Sequence, residues 1–310
     1  GFARNEVELK AFMATTFYAQ QQDPWHLDVT LGKVIDFLKE NDMIHASDED
    51  DLLPTRLGSL VSKLYIDPLS AVIMLQNLKR RKPGPERTGS LKSAGKSAKD
   101  LAALEAAAKA GESAGLQFSS ALDLERAGRK VFSDLGLVHL ITMTPDMNLL
   151  YVQSADGWVE EFIDQHECEL YDEDNYDYLL REAKTSAMLM DWIGEVHEEQ
   201  IASRYHIGPG DIRRSAETAE WLMHSLAEIS KHLDLGVTFI AEQLAERIHY
   251  GASQDLLALL NLKGIGRVRA RKLYSSGITS LEMLKATDLA EVARLLGPKI
   301  AEKVISQLKK

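Results

Sequence analysis

The sequence predicts a mainly α-helical protein with one small β-hairpin. Apolar residues recur at helical spacing over most of the 310 residues, for example over residues 7–18, 179–193 and 216–233. Residues 43–53 differ, because an acidic tip at residues 48–51 separates two short apolar edges, the pattern of a hairpin. The length is sufficient for two domains of about 150 residues each, or for three smaller ones.

Three consecutive regions follow from this pattern. Residues 1–66 have the element order of a winged-helix domain, in which helices precede a hairpin, and residues 67–250 are predicted to form a helical bundle. Within the bundle, residues 83–115 are rich in Gly, Ser, Ala and Lys, a composition typical of a flexible insertion with one short helix. A weaker strand pattern covers residues 139–143 and 149–152, on either side of a Pro-Asp turn.

Residues 251–310 are predicted to form a small C-terminal domain. Gly251 follows a helical segment and marks the boundary. The sequence around Gly264 and Gly266 recurs loosely around Gly297, which indicates tandem helix–hairpin–helix units whose second copy is degenerate.

Charge is strongly segregated along the chain. The net charge is −11, and residues 156–182 contain eleven acidic residues and one base, Arg181. Residues 263–273 contain five basic residues and no acid. The overall charge argues against a general polyanion binder, whereas the local basic segment fits a protein that grips nucleic acid at chosen points.

The sequence also bears on the cellular compartment of the protein. The single cysteine, Cys168, excludes an internal disulfide, and no apolar run is long enough to cross a bilayer. The first residues do not have the pattern of a secretion signal. We therefore expect a cytoplasmic protein without a membrane partner.

No catalytic motif is recognisable. A phosphate-binding loop of the Gly-x-x-x-x-Gly-Lys-Ser/Thr type is absent, and the pair Gly264-x-Gly266 lacks the third glycine of a dinucleotide site. Residues 48–51 are interpreted as a solvated turn, and His197 lacks the second histidine of a zinc-protease helix. The sequence therefore predicts no catalytic residue, metal ligand or cofactor on this chain.

The Gly264–Gly266 segment is the first candidate nucleic-acid contact. Two glycines around one apolar residue allow a tight turn between helices, so that successive backbone N–H groups form a concave site for a DNA phosphate. Neighbouring basic side chains would add affinity by counterion release. The predicted contacts are Lys263, Gly264, Gly266, Arg267, Arg269, Arg271 and Lys272. The alternative is an ordinary turn whose bases are merely solvated.

The second candidate is the helix that follows the Gly-Pro-Gly turn at residues 208–210. Arg214 and Trp221 lie within about 20° of one line on this helix, and its apolar stripe points roughly 150° away. A tryptophan on that face, near Arg213 and Arg214, suits base stacking combined with phosphate contact. The alternative is that a second helical layer covers Trp221.

Several segments together resemble a known family. They include residues 1–5, 64–71, 191–222 and 264–273, and the similarity extends over nearly all of the chain except residues 83–115. The chain resembles the C-terminal half of archaeal superfamily-two DNA helicases of the Holliday-junction-migration (Hjm) type.

The resemblance implies a specific architecture. In that family, two RecA-like motor domains precede a winged helix, a helical "ratchet" bundle and a helix–hairpin–helix domain. This chain corresponds to the last three, with a winged helix that lacks its first helix. Trp221 and Arg214 would then lie on the ratchet helix that touches the translocating strand. ATP and Mg²⁺ would belong to the missing motor domains, so this chain is expected to be inactive alone.

The resemblance also implies partners and a role. The implied partners are single-stranded and forked or branched DNA and the motor domains in the same polypeptide. The implied role is 3′–5′ unwinding in DNA repair and at stalled replication forks. Two alternatives stay open. Related helicases act on RNA, and a motor-less adaptor could use the acidic segment 156–182 as a docking surface.

Overall fold

The structure is a computed structural model, and it describes residues 3–21, 23–48, 50–80, 132–171 and 173–308. These residues belong almost entirely to one compact unit, formed by Gly1–Arg80 together with Asp134–Lys310. The insertion expected at residues 83–115 lies outside the described residues.

The N-terminal region begins with α1 (Glu6–Ala14), α2 (Phe17–Gln20) and α3 (Pro24–Glu40). Each helix starts after a residue whose side chain accepts a hydrogen bond from a first-turn amide, namely Asn5, Thr16 and Asp23. The helical pattern over residues 7–18 is divided in the structure, because α1 ends at Ala14 and the cap Thr16 starts α2.

The hairpin predicted at residues 43–53 is confirmed. Strands β1 (Ile44–Ala46) and β2 (Leu52–Pro54) pair antiparallel. Helix α4 (Arg56–Leu64) follows at once, capped by the side chain of Thr55. A Cβ atom at Gly58 would lie 2.0 Å from the carbonyl oxygen of Met43, so glycine is required for α4 to pack against the entry to β1.

The central bundle consists of seven consecutive helices among the described residues. They are α5 (Pro68–Arg80), α6 (Asp134–Thr142), α7 (Trp158–Gln165), α8 (Tyr176–Ile193), α9 (Glu198–Tyr205), α10 (Pro209–Leu233) and α11 (Thr238–Tyr250). The stripe predicted for the longest of them, α10, is buried throughout: Ala216, Ala219, Leu222, Met223, Leu226 and Ile229. Burial of this stripe fixes which face of α10 remains available at the surface.

The prediction of strands at residues 139–143 and 149–152 was wrong. Most of the first segment belongs to α6, whose residues from Leu135 onward are all buried. A short, wholly buried apolar run has no polar face, so its periodicity cannot distinguish helix from strand. The second segment is irregular, and the amide of Leu150 donates to the hydroxyl of Thr185 instead of to a neighbouring strand.

A buried ion pair attaches the loop before α7 to α8. The ammonium group of Lys184 lies 2.7 Å from the carboxylate of Asp156, and both side chains are fully buried. Lys184 also donates to the carbonyl of Tyr151 at 2.8 Å. Removing either charge would leave the other buried and uncompensated, so the pair holds this loop in place.

The C-terminal region has a small hydrophobic core of its own. It follows a 3₁₀ turn (Gln254–Leu256) and contains α12 (Leu257–Leu260), α13 (Arg267–Ser275), α14 (Leu281–Ala286), α15 (Leu289–Leu296) and α16 (Pro298–Leu308). Leu259, Leu273 and Val304 are among the residues that form this core. Apart from β1 and β2, the regular structure of the described residues is helical, so the mainly α fold class is confirmed.

Candidate nucleic-acid interface

Trp221 lies on the surface of α10, opposite the buried stripe. Its side chain is 36% exposed, and its indole Nε1 donates a hydrogen bond to the carbonyl oxygen of Leu64 at 2.9 Å. Leu64 is the last residue of α4, so α4 contacts the nitrogen side of the indole. The predicted orientation is confirmed, and the ring is held by a directional contact while part of its surface remains open to a ligand.

Arg214 lies two helical turns before Trp221 and is also exposed. Its guanidinium is 3.7 Å from the carboxylate of Asp211, one turn earlier, and 74% of its side chain is accessible. Arg213 is exposed too and lies 3.5 Å from Glu198. Ion pairs between exposed groups are weak, so both arginines could exchange these partners for phosphates.

The first helix–hairpin–helix turn joins α12 to α13. Gly264 has φ +98°, a value that favours glycine, and Gly266 is the N-cap residue of α13 without any side-chain cap. The first-turn amides of α13 are therefore not capped by a side chain, as an anion site requires. Ile265 between the glycines is buried in the domain core.

Three of the predicted basic contacts, Lys263, Arg269 and Lys272, are exposed around this turn. Arg269 donates to the carbonyl of Gly264 at 2.9 Å, which places its guanidinium beside the hairpin. Gln307 on α16 bonds both the amide and the carbonyl of Lys263, at 2.9 and 3.0 Å. The second, degenerate unit thus supports the first hairpin.

Lys303, on α16, was not predicted as a contact. A Cβ atom built on Gly264 would lie 3.9 Å from its ammonium nitrogen, so this cation sits at the mouth of the turn. The sequence repeat did carry a signal, because Lys303 is the counterpart of Lys272 in the second unit.

The other two predicted basic contacts face the bundle. The guanidinium of Arg271 bonds the carboxylate of Glu195 at 2.9 and 2.6 Å, and it also bonds Asp255 at 3.0 Å. Burial would raise the pKa of Glu195, but hydrogen bonds from Arg271 and Ser253 outweigh it and lower the pKa to about 2. The hydrogen bonds that Arg271 donates to Glu195 and Asp255 in turn raise the pKa of Arg271.

Arg267 is held even more closely, with only 17% of its side chain exposed. Its guanidinium lies over the ring of Trp192, 4.3 Å from the centroid. It also donates to the carbonyl of Gly251 at 3.3 Å and lies 3.4 Å from Glu198. We call Arg267 and Arg271, with Trp192, Glu195 and Glu198, the arginine clamp, because they join α13 to the bundle.

Comparison with known proteins gives two family matches. Residues 135–251 match the family described as archaeal helicase, domain 4, and residues 256–310 match the SAM-like helix-hairpin-helix tandem family. These matches and the similarities below are consistent with a C-terminal portion of an archaeal DNA helicase. The predicted family and the predicted helix–hairpin–helix units are therefore confirmed.

The chain is also similar to curated helicases along nearly its whole length. It is 38% identical to the ATP-dependent DNA helicase Hel308 of Methanocella arvoryzae over 99% of this chain, and 32% identical to that of Pyrococcus abyssi over 98%. The chain spans 37% of the length of both relatives. It is 33% identical to the Hel308 of Methanocaldococcus jannaschii, of which it spans 21%.

Those relatives are named ATP-dependent, but the described residues of this chain do not fit ATP. The sequence has no phosphate-binding loop, and among the described residues the strands β1 and β2 lead into no such loop. Within the same residues, no cluster of three or more His, Cys, Asp or Glu side chains could hold a metal ion. We therefore assign no step of ATP chemistry to these residues.

The helices were also compared with the dimensions of a bilayer. No single helix of the described segments is long and apolar enough to cross one, and α4 with α5 would qualify only as a pair bent by 118°.

Proposed function

We propose that this chain is the part of an ATP-dependent 3′–5′ DNA helicase that holds the translocating single strand. The observation that carries the proposal is Trp221, a large aromatic side chain that lies partly exposed on α10 in line with the exposed Arg214. Curated relatives named ATP-dependent DNA helicase, aligned with nearly the whole chain, support the same conclusion.

In the proposed mechanism, a base stacks on the exposed part of the Trp221 ring. Stacking is worth ~1–3 kcal/mol per base, enough to resist backsliding without locking the strand. Arg214, and with it Arg213, would contact neighbouring phosphates as point charges. The motor domains of the whole protein, with ATP and Mg²⁺, would supply the forward step, and α10 would act as the ratchet helix.

The helix–hairpin–helix domain would hold the DNA backbone. The uncapped amides of α13 after Gly266 and the exposed Lys263, Arg269 and Lys272 together make a cationic concave surface for a phosphate. Such a surface contacts the backbone and reads no base sequence. Arg267 and Arg271 would contribute by orienting this surface, because both are engaged in the arginine clamp.

We further propose forked or branched DNA as the substrate, in DNA repair and at stalled replication forks in the cytoplasm. Because a helix–hairpin–helix tandem commonly follows a DNA backbone, we favour DNA over RNA. The test is fluorescence anisotropy of a labelled 3′-tailed fork and of an RNA fork of the same sequence, each at two salt concentrations. Tighter binding to DNA that weakens steeply with salt supports the proposal.

Two results would contradict this proposal. Equal or tighter binding to the RNA fork would favour an RNA helicase. Absence of binding to either fork at low salt would favour a protein-interaction adaptor.

A further inference from the structure

Two surface grooves lie against α10, one shared with α4 and the other with α11. One lies between α4 and the C-terminal end of α10 and has a volume of about 360 Å³. The other lies between α10 and α11 and has a volume of about 470 Å³. They differ sharply in charge, and this difference bears on the route of a strand that stacks on Trp221.

The α4–α10 groove is cationic. Its lining includes Arg56, Lys63 and His232, together with the hydroxyl groups of Thr55 and Ser59, and it contains no acidic residue. Arg56 and Lys63 are exposed and form no ion pair with a carboxylate of the described residues. Both cations are therefore available to a ligand that carries negative charge.

The α10–α11 groove is acidic. Glu228, Glu242 and Glu246 line it, around the side chain of Phe239, which is 64% exposed. The only histidine in its lining is His224, and no lysine or arginine contributes. A polyanion that enters this groove would meet three carboxylates, of which only Glu228 has a cation nearby, Lys231 at 3.8 Å, so the groove repels a DNA strand.

The cationic groove is lined by the same helix, α4, that contacts Trp221. The indole bonds the carbonyl of Leu64 at one end of α4, and Arg56 marks the other end of that nine-residue helix, about 12 Å away. On α10, His232 follows Trp221 by three turns and lies within about 20° of the same line. The two helices therefore lie side by side from the Trp221–Leu64 contact to the groove lined by Arg56 and His232, and Glu228, the one carboxylate near the same line, is paired with Lys231.

We propose that the phosphate backbone of the single strand that stacks on Trp221 runs through the α4–α10 groove and is held there by Arg56 and Lys63. The acidic α10–α11 groove keeps the strand from passing on the other side of α10. This inference rests on the proposed function, and it adds a phosphate-binding surface on the winged-helix side that the sequence did not indicate.

The first test compares two double variants of this chain for binding to labelled single-stranded DNA across a salt series. Arg56→Ala with Lys63→Ala should flatten the slope of log affinity against log salt by ~0.7 for each phosphate that is no longer neutralised. The matched control is Lys33→Ala with Lys39→Ala, which removes the same charge from exposed positions on α3. The control should keep the wild-type slope.

The second test locates the strand. In a Cys168→Ser background, a photo-crosslinker is attached at Ser59→Cys in the cationic groove or at Gln243→Cys in the acidic groove. Both positions are half-buried. The proposal expects crosslinks to single-stranded DNA from position 59 and several-fold fewer from position 243.

The outcomes separate the two proposals. If Trp221→Ala weakens binding but the Arg56/Lys63 pair matches its control, or if position 243 crosslinks at least as well as position 59, the groove proposal is overturned and the proposed function survives. If the wild-type chain does not bind single-stranded DNA at all, both are overturned.

Discussion

The guanidinium of Arg271 donates two hydrogen bonds to the carboxylate of Glu195, a residue 76 positions earlier in the chain. Glu195 has a left-handed backbone conformation, with φ +65°, directly after the end of α8. A residue predicted to bind DNA therefore joins the helix–hairpin–helix domain to the bundle. We expect the orientation of the hairpin that is proposed to bind DNA to depend on this contact.

The first prediction tests whether Arg271 stabilises the fold through the arginine clamp, in contrast to the proposed DNA contact Arg269. Arg271→Ala should lower the free energy of unfolding by about 1–2 kcal/mol, less than for a fully buried pair because Arg271 is partly exposed. Urea unfolding measures this change, and Glu195→Ala should show a favourable coupling with Arg271→Ala in a double-mutant cycle. Arg269→Ala is the control and should leave stability nearly unchanged. Additive effects in the cycle would refute a clamp.

The second prediction concerns the close approach of Gly251 to Trp192. Gly251 has φ +59°, and a Cβ atom there would lie 2.5 Å from the indole ring. Gly251→Ala should therefore destabilise the chain by about 3 kcal/mol, the combined cost of left-handed backbone and overpacking. Gly236→Ala is the matched control, because Gly236 also has positive φ but open space around it.

In this comparison, thermal unfolding should show a destabilisation of only about 1 kcal/mol for Gly236→Ala. Equal destabilisation of the two variants would mean that Trp192 does not press against Gly251.

The third prediction is a pH dependence of stability. Burial raises the pKa of Glu182 to about 8, assisted by the charge of Glu173 and opposed by that of Arg181. The folded chain thus binds a proton that the unfolded chain releases at its ordinary pKa of 4.5, so stability should fall as pH rises from about 4.5 to 8. The decrease that Glu182 causes is ~4 kcal/mol over this range.

Glu182→Gln keeps the shape of the neutral acid and should remove most of this pH dependence. Urea unfolding at pH 5, 6.5 and 8 measures it. If the free energy of unfolding changed with pH in the same way for wild type and variant, Glu182 would not be the source of the pH dependence and the prediction would be wrong. His139, whose Nε2 lies 3.6 Å from this carboxylate, is the neighbouring group to monitor by NMR.

The fourth prediction concerns the helix–hairpin–helix surface. Arg269→Ala with Lys272→Ala should weaken DNA binding about equally for all base sequences and flatten the salt slope by ~0.9 for each duplex phosphate that is no longer neutralised. Anisotropy titrations on two unrelated duplexes measure both effects. An unchanged slope, or weaker binding confined to one sequence, would show that this surface does not contact the DNA backbone.

Much of the fold followed from periodicity. The hairpin at residues 43–53 was visible because an acidic tip separates apolar edges, and α10 was visible because its stripe keeps helical spacing over five turns. The segment at residues 139–143 was misassigned because burial on all sides removes the polar face on which such reasoning depends.

The candidate site was only partly predictable. The sequence places Trp221 on the surface of α10, because that position lies opposite the apolar stripe. It does not reveal the contact with Leu64, 157 residues away. Nor could local sequence separate Arg269, beside the hairpin, from Arg271, because Glu195 lies on a distant part of the chain. Long-range pairing decides which arginines remain available.

Base stacking on Trp221 is central to the proposed function. The most direct measurement is the affinity of this chain for labelled single-stranded DNA in the variants Trp221→Ala and Trp221→Phe. Both remove the hydrogen bond to Leu64, but only Phe keeps an aromatic face. Trp221→Ala should weaken binding by ~1–3 kcal/mol, and Trp221→Phe should retain most of the affinity. Equal affinities for the two variants, with circular dichroism unchanged, would contradict stacking.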